Sequence, residues 1–377
     1  MQTDAKMVSK GEVTIMKVNI KKDSNCLKIG ILGCGTICQA AHFEAAVKAR
    51  NVELIAICDV AEDLLTKMEA VYSPKRVYTD FSKMLKDTEI DAVIIGIGDQ
   101  FHTACTKMAL MAGKHVLVEK PLGVNLSECG ELRDIANEKG LIVQVGNMKR
   151  FDGGILYARN FIQKEIGEVT TFKVWYCDST GRYQVCDNVM PPIYTSPSMK
   201  KPAGNPKADL EKYYLLGHGS HLFDTARYLM GNIISVETKH VIKGNLYSWL
   251  IACDFENGAI GNLDLTIAVR ADWHEGFQIY GTNGTVFAKV YNPWIFKTSE
   301  VECCNETTRE IKKPFEPDGH FYRRQLESFA EAILDGKEQV GADLDDGIAA
   351  LRAIIASYES YQNNGRKTYL KDMKGGI

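Results

Sequence analysis

The chain has 377 residues, enough for two domains and a substantial buried core. Apolar residues make up 45% and charged residues 25%, and the formal net charge is −3, all ordinary for a globular protein. With no basic stripe and no apolar run of about 18 residues, neither a nucleic-acid surface nor a transmembrane helix is expected.

Residues 1–26 carry Lys6, Lys10, Lys17, Lys21 and Lys22 without a continuous apolar core, unlike a secretory signal. Within this N-terminal arm Val13 to Ile20 alternates weakly, which fits a loose arm or an added edge strand. From Lys28 onward, strand and helix patterns alternate. Apolar runs at Lys28 to Leu32, Val52 to Cys58, Ala92 to Ile97, His115 to Glu119 and Leu141 to Val145 read as buried strands. Between them, Thr36 to Arg50, Glu62 to Val71, Phe81 to Lys86, Phe101 to Ala112 and Leu126 to Lys139 read as helices. Such a series implies a doubly wound parallel sheet, which binds ligands at the carboxyl ends of its strands. We place this domain at 27–148.

Residues 149–377 read differently. Val169 to Tyr176, Ser235 to His240, Ser248 to Phe255, Ala259 to Val269 and Gly276 to Tyr280 look extended. Asn257-Gly258 and Asn283-Gly284 are turn signals, so a mainly antiparallel, open sheet is expected. Pro191, Pro192, Pro197, Pro202 and Pro206 mark a long irregular loop, a kind of segment that tends to be functional. Late helices at about His320 to Leu334 and Asp343 to Gln362 are expected to pack back onto the first domain. The fold class is α/β throughout.

Eleven cysteines are scattered, with no CxxC pair. Cys58, Cys105 and Cys253 lie inside apolar runs, where a thiol acts as a small hydrophobe. A reducing cytoplasm fits this usage better than a disulfide framework. Cys303 and Cys304 are adjacent and lack zinc-ligand spacing.

Gly33-Cys34-Gly35-Thr36-Ile37-Cys38 lies between the first buried strand and its helix. The first glycine permits a tight turn, and the second lets the backbone approach a pyrophosphate at the helix N-terminus. Cys38 stands where glycine or alanine is usual. Asp59 closes the next strand, where a carboxylate accepts from ribose hydroxyls and repels a 2′-phosphate, so NAD is favoured over NADP.

His115-Val116-Leu117-Val118-Glu119-Lys120-Pro121 puts a charged pair at the end of a buried strand. With Ala112-Gly113-Lys114 before it, this segment resembles the signature of the glucose–fructose oxidoreductase and inositol dehydrogenase (Gfo/Idh/MocA) family. His102 fits the resemblance, as does Gln144-Val145-Gly146-Asn147 leading to Arg150-Phe151. The likeness runs from about Lys28 to the late helices and is looser in the second half. It implies a Rossmann domain followed by an α/β domain, commonly in a homo-oligomer. It also implies hydride transfer between a nicotinamide and a sugar or cyclitol. By that resemblance Gly33, Gly35, Thr36, Ile37, Asp59, Ile97, His102, Glu119, Lys120, Asn147 and Arg150 hold the cofactor. Lys120 reaches both the nicotinamide ribose and the substrate hydroxyl, as a proton acceptor or relay or as a purely positioning group.

Leu215 to Asp224 opens a helix running to about Met230. The family often carries Asp, His and Asp here; His221 and Asp224 match the later two, and Gly217 replaces the first. Acid–base work therefore falls to Lys120 and His221. His218, one turn earlier, is a second candidate. His218, His221 and Asp224 also have a spacing open to a metal, but none is expected, because Asp224 better suits support of the helix or orientation of a histidine. Asp178, Arg182 and Trp273 are weaker candidates for substrate contact, alongside Lys149, Asp152, Tyr176 and His274. The expectation is an NAD-dependent dehydrogenase of a secondary ring hydroxyl in a sugar or glycoside, most sharply at the 3-position of a glucoside. An NAD-assisted glycosidase, an inositol dehydrogenase and a non-catalytic NAD-binding or sugar-sensing protein are the alternatives.

Overall fold

The computed structural model describes residues 5–10, 13–18, 22–179, 192–198 and 208–377. Arg182, Pro191, Pro202 and Pro206 lie outside the described residues. Strands β1 (Ala5–Lys10) and β2 (Val13–Val18) pair antiparallel in a sheet of their own. The weak alternation from Val13 thus makes a strand, but its partner is the preceding segment rather than the edge of a larger sheet.

The first large sheet contains β3 (Leu27–Leu32), β4 (Val52–Cys58), β5 (Arg76–Tyr78), β6 (Ala92–Ile95), β7 (His115–Val118) and β8 (Val143–Val145). All are parallel, in the order β5-β4-β3-β6-β7-β8. The order reverses between β3 and β6, so the ligand crevice opens at their carboxyl ends. Helices α1 (Phe43–Lys48), α2 (Glu62–Tyr72), α3 (Phe81–Leu85), α4 (His102–Met111) and α5 (Leu126–Lys139) cross between the strands. The helix after β3 begins irregularly, as Cys38–His42 form a π-helical turn. Such turns carry one extra residue and are frequent at functional sites. Sequence reading missed β5, a short, half-exposed edge strand with no apolar run.

A nine-stranded sheet follows. Its members are β9 (Val169–Ser179), β10 (Ile233–Lys243), β11 (Leu246–Phe255), β12 (Ile260–Val269), β13 (His274–Gly281), β14 (Gly284–Val290), β15 (Glu300–Asn305), β16 (Glu310–Lys312) and β17 (Thr368–Tyr369). The order is β16-β15-β14-β13-β9-β12-β11-β10-β17, antiparallel except for the β9–β12 pair. One face packs against α6 (Gly153–Lys164), α7 (Leu210–Met230) and α9 (Leu344–Gln362). On β11, Trp249, Ile251, Cys253 and Phe255 point inward, while Leu250 is exposed. Cys303 and Cys304 of β15 alternate in the same way, so adjacent thiols face opposite sides. Among the described residues no group of three His, Cys, Asp or Glu is placed to hold a metal.

Helix α8 (Phe321–Leu334) leaves the second sheet and packs on α1, β3 and β4, where Phe321, Leu326 and Phe329 join the first domain's core. Helix α9 packs on α5, α7 and β10. Helix α6 was not expected from sequence, because two glycines open it. Asp152 caps it by accepting from Gly154 N and Ile155 N at 2.8 and 3.2 Å.

Candidate active site

The dinucleotide turn is built tightly. Gly33 has φ +108°, and a Cβ there would lie 2.3 Å from Gly96 O, so only glycine fits. At Gly35 a Cβ would meet nothing within 4 Å; that side of the turn is open. Cys38, the departure at the third position, donates to Gly96 O at 3.4 Å. A Cβ on Gly96 would come within 2.4 Å of the thiol, so the extra sulfur is housed by a second glycine opposite. Asp59 accepts from Cys34 N at 2.6 Å and from Ala61 N at 2.8 Å, which fixes its carboxylate beside the turn.

The strand-end lysine is held from three sides. Glu119 accepts from Lys120 N at 3.1 Å and pairs with His42 Nε2 at 2.8 Å. Burial alone would push Glu119 up, but His42, Lys120 and His102 outweigh it and hold the carboxyl below its ordinary value. His42 sits in the π-helical turn, which aims it at Glu119. His102 contacts Pro121 O at 2.6 Å and Ile97 O at 3.2 Å from behind. The Lys120 ammonium crosses to α7 and donates to Gly217 O at 3.2 Å. Gly217 is the position where the family resemblance leads one to expect aspartate, and space there is open.

Helix α7 presents Tyr213, Gly217, His218 and His221 to one cleft of about 270 Å³. Thr36, Ile37, Ile97, Glu119 and Lys120 form the opposite wall; Tyr176 comes from β9, Trp273 from the connection between β12 and β13, and Trp294 and Tyr322 lie alongside. The His221 ring stacks on Tyr176 at 5.7 Å, and Asp178 lies 3.6 Å from His218 Nε2. Behind this floor, buried Lys149 pairs with Glu275, and its ammonium lies 4.3 Å over the Tyr176 ring. Glu275 also accepts from Trp273 Nε1 at 3.1 Å. Burial pulls Lys149 below and pushes Glu275 above its ordinary value, and their pairing offsets that cost only in part.

Of the sequence-predicted residues, the structure therefore brings Thr36, Ile37, Ile97, Glu119, Lys120, His218, His221 and Trp273 to one cleft. Asp178 stands just behind it. His102 is fully buried and braces the strand end through Pro121 O and Ile97 O. Arg150 lies between α7 and α9. Its guanidinium is buried between Asp224 (2.7 Å) and Asp346 (2.7 Å) and is absent from the cleft lining. Burial pulls Arg150 down, but the two carboxylates outweigh it and raise it above its ordinary value. Asp224 is thereby engaged with Arg150 rather than with a histidine. Sequence reading missed Trp294 and Tyr322, which come from a short turn and from α8, and their stacking at 6.0 Å left no local signal.

Near this wall, His320 caps α8 and stacks on Phe296 at 4.4 Å. Burial lowers it to about 4. The unfolded chain takes up this proton near pH 6.5, whereas the folded ring refuses it. This histidine's contribution to stability is therefore complete above about pH 6.5 and declines toward pH 4. Replacing it with asparagine, which keeps a cap, is expected to flatten the curve of melting temperature against pH across that window. An unchanged slope would refute the assignment.

Two sequence models of one family match the chain. The NAD-binding Rossmann fold of the GFO_IDH_MocA oxidoreductase family covers residues 27–147, and that family's C-terminal alpha/beta domain covers 214–369. The chain belongs to the Gfo/Idh/MocA oxidoreductase family. A myo-inositol 2-dehydrogenase of Thermotoga maritima is 24% identical over 93% of this chain and 100% of its own length. A scyllo-inositol 2-dehydrogenase (NAD(+)) of Bacillus subtilis is 24% identical over 89% of this chain and 94% of its own. The solved structure of a levoglucosan dehydrogenase in complex with NADH superposes with a TM-score of 0.75 at 20% identity, covering 92% of this chain and 99% of that one. The parallel sheet and the mixed sheet are thus the two Gfo/Idh/MocA domains, and NAD is the cofactor of the first. The site fits it: Gly33 admits no side chain, and Asn147 Oδ1 at the end of β8 is buried without a partner among the described residues.

Proposed function

We propose that this oxidoreductase oxidises a secondary ring hydroxyl of a sugar or glycoside. The observation that carries the reading is the convergence of Lys120, His218 and His221 on one aromatic-walled cleft beside the dinucleotide turn. Bound NAD supplies the hydride acceptor. Lys120, fixed by Glu119 and Gly217 O, holds the reacting hydroxyl oxygen. His221 takes the hydroxyl proton, since an imidazole's ordinary range suits that exchange near neutrality. His218, in contact with Asp178 and Tyr176, orients a neighbouring hydroxyl. Trp273, Trp294 and Tyr322 offer apolar surfaces suited to the C–H faces of a sugar ring. Gly33, Gly35, Thr36 and Ile37 receive the pyrophosphate, Asp59 the adenosine ribose, and Asn147 accepts from the carboxamide end. Holding the ring against the cofactor supplies much of the rate.

The open space at Gly217 favours a substrate larger than a free cyclitol, and the 3-position of a glucoside is our sharpest assignment. The curated relatives named for inositol support a cyclitol as the second reading. The exposed apolar residues on the outer face of the second sheet, among them Leu250 and Ile260, suit a homo-oligomer. The deciding experiment follows NADH absorbance with NAD⁺ and a panel of inositols, free sugars and aryl glucosides, with product analysis. NADH with a 3-keto glucoside is the expected result. Turnover of inositols alone would establish the second reading, and aglycone release without NADH would replace the dehydrogenase with an NAD-assisted glycosidase.

A further inference from the structure

The π-helical turn that follows the glycine turn aims a second side chain, Gln39, away from the cleft. Its amide is buried and fully used. Nε2 donates to Cys34 O of the glycine turn at 2.7 Å and to Tyr194 O at 2.9 Å, and Oε1 accepts from Tyr194 N at 2.8 Å. The two bonds to one residue's N–H and C=O mimic a strand pair, made by a side chain across 155 positions of sequence. A second anchor lies two residues on. Ser196 donates to Asp63 Oδ1 at 2.6 Å, in the first turn of α2, and Lys67 of the same helix lies 4.7 Å from the centre of the Tyr194 ring. Residues 192–198 therefore run from the helix behind the glycine turn to the helix behind Asp59. Those are the two elements that receive a dinucleotide's pyrophosphate and its adenosine ribose.

We propose that residues 192–198 are a clasp, latched by Gln39 and Ser196, that spans the adenosine half of the NAD site and retards cofactor dissociation. The clasp belongs to the connection between β9, which carries Tyr176, and α7, which carries His221, so cofactor retention and the substrate-facing wall share one stretch of chain. The inference rests on the cofactor alone and does not depend on which ring is oxidised.

The test uses the full chain preloaded with NADH and mixed rapidly with excess NAD⁺, with cofactor fluorescence reporting release. Gln39→Leu removes the latch, and release is expected to quicken by about tenfold, the scale of one or two net hydrogen bonds. Because Gln39 also holds Cys34 O, Ser196→Ala serves as the second variant. Its hydroxyl meets α2 and, within the clasp, accepts from Ser198 N at 2.9 Å, without touching the glycine turn, and its loss is expected to quicken release by about two- to threefold, with the association rate unchanged in both. Hydrogen exchange of the peptide containing Tyr194 is expected to slow when wild-type protein binds NADH. Release at the wild-type rate in both variants would overturn the proposal. So would faster association with unchanged release, which would make the segment an obstruction. Indifference of the Tyr194 peptide to NADH would overturn it as well.

Discussion

Lys120→Met is expected to lower kcat by about 100- to 1,000-fold, the scale of losing one charged donor aimed at the oxygen on which charge develops. Methionine keeps much of the reach of the stem and removes the ammonium. That ammonium donates to a backbone carbonyl, Gly217 O, and buried Glu119, whose charge it supports, keeps its partner His42, so the loss strands no carboxylate. The melting temperature should therefore stay close to that of the parent, and NADH should still bind, because the glycine turn and Asp59 are untouched. The discriminating readout is the split between kinetic constants. A fall in kcat with near-normal KM assigns Lys120 to the chemical step. A rise in KM alone would reduce it to a positioning group for the cofactor or the ring, and wild-type kinetics would remove it from the site.

The second large effect is on stability. Arg150→Met should destabilise the protein by about 3–5 kcal/mol, because it leaves Asp224 fully buried without its cation and Asp346 with Arg227 alone. The double variant Arg150→Met/Asp224→Leu should recover part of that loss, since the buried charge is removed together with its partner. Urea unfolding with NADH titration of each variant checks both statements. A variant of normal stability that no longer bound NADH would return Arg150 to the cofactor and sink the structural assignment. A pH effect runs alongside. Burial pushes Asp346 up, but Arg150 and Arg227 more than offset this and hold it below its ordinary value. Its contribution is then complete above about pH 4, the value for an unfolded aspartate, and is lost as the pH falls through the lower folded value.

Arg150 also shows where sequence reading stopped. Its place directly after the last strand of the parallel sheet is where a cofactor ligand belongs. The carboxylates that claim it lie 74 and 196 residues away, and no local pattern announces them. The parallel sheet itself was legible, because strands buried on both faces are written as continuous apolar runs. So was the glycine turn, whose steric demand at Gly33 is visible in the residue type. The far side of the second sheet was not. Strand β15 carries Glu300 and Glu302 at alternate positions, so its apolar content is diluted by solvent-facing charge. The cleft was half legible. Lys120 and the α7 histidines stood out by position, whereas Trp294 and Tyr322 arrive through tertiary packing of otherwise ordinary aromatics. The π-helical turn hid His42 and Gln39, because a regular 3.6-residue period gives no sign of the extra residue that aims them.

The last strand of the parallel sheet is joined to the second half of the chain at several points besides Arg150. Val145 N donates to Ala342 O at 2.8 Å, Gln339 Nε2 to Val143 O at 3.0 Å, and Gln144 Nε2 to Gln325 O at 3.3 Å. A seam with that many buried bonds behaves as a weld. Swinging the two halves apart as each ring arrives would break several of them together, at a cost far above thermal energy. The two halves are thus expected to keep one register through the cycle, so that the cleft they enclose discriminates among ring substrates as a sieve with a fixed mesh.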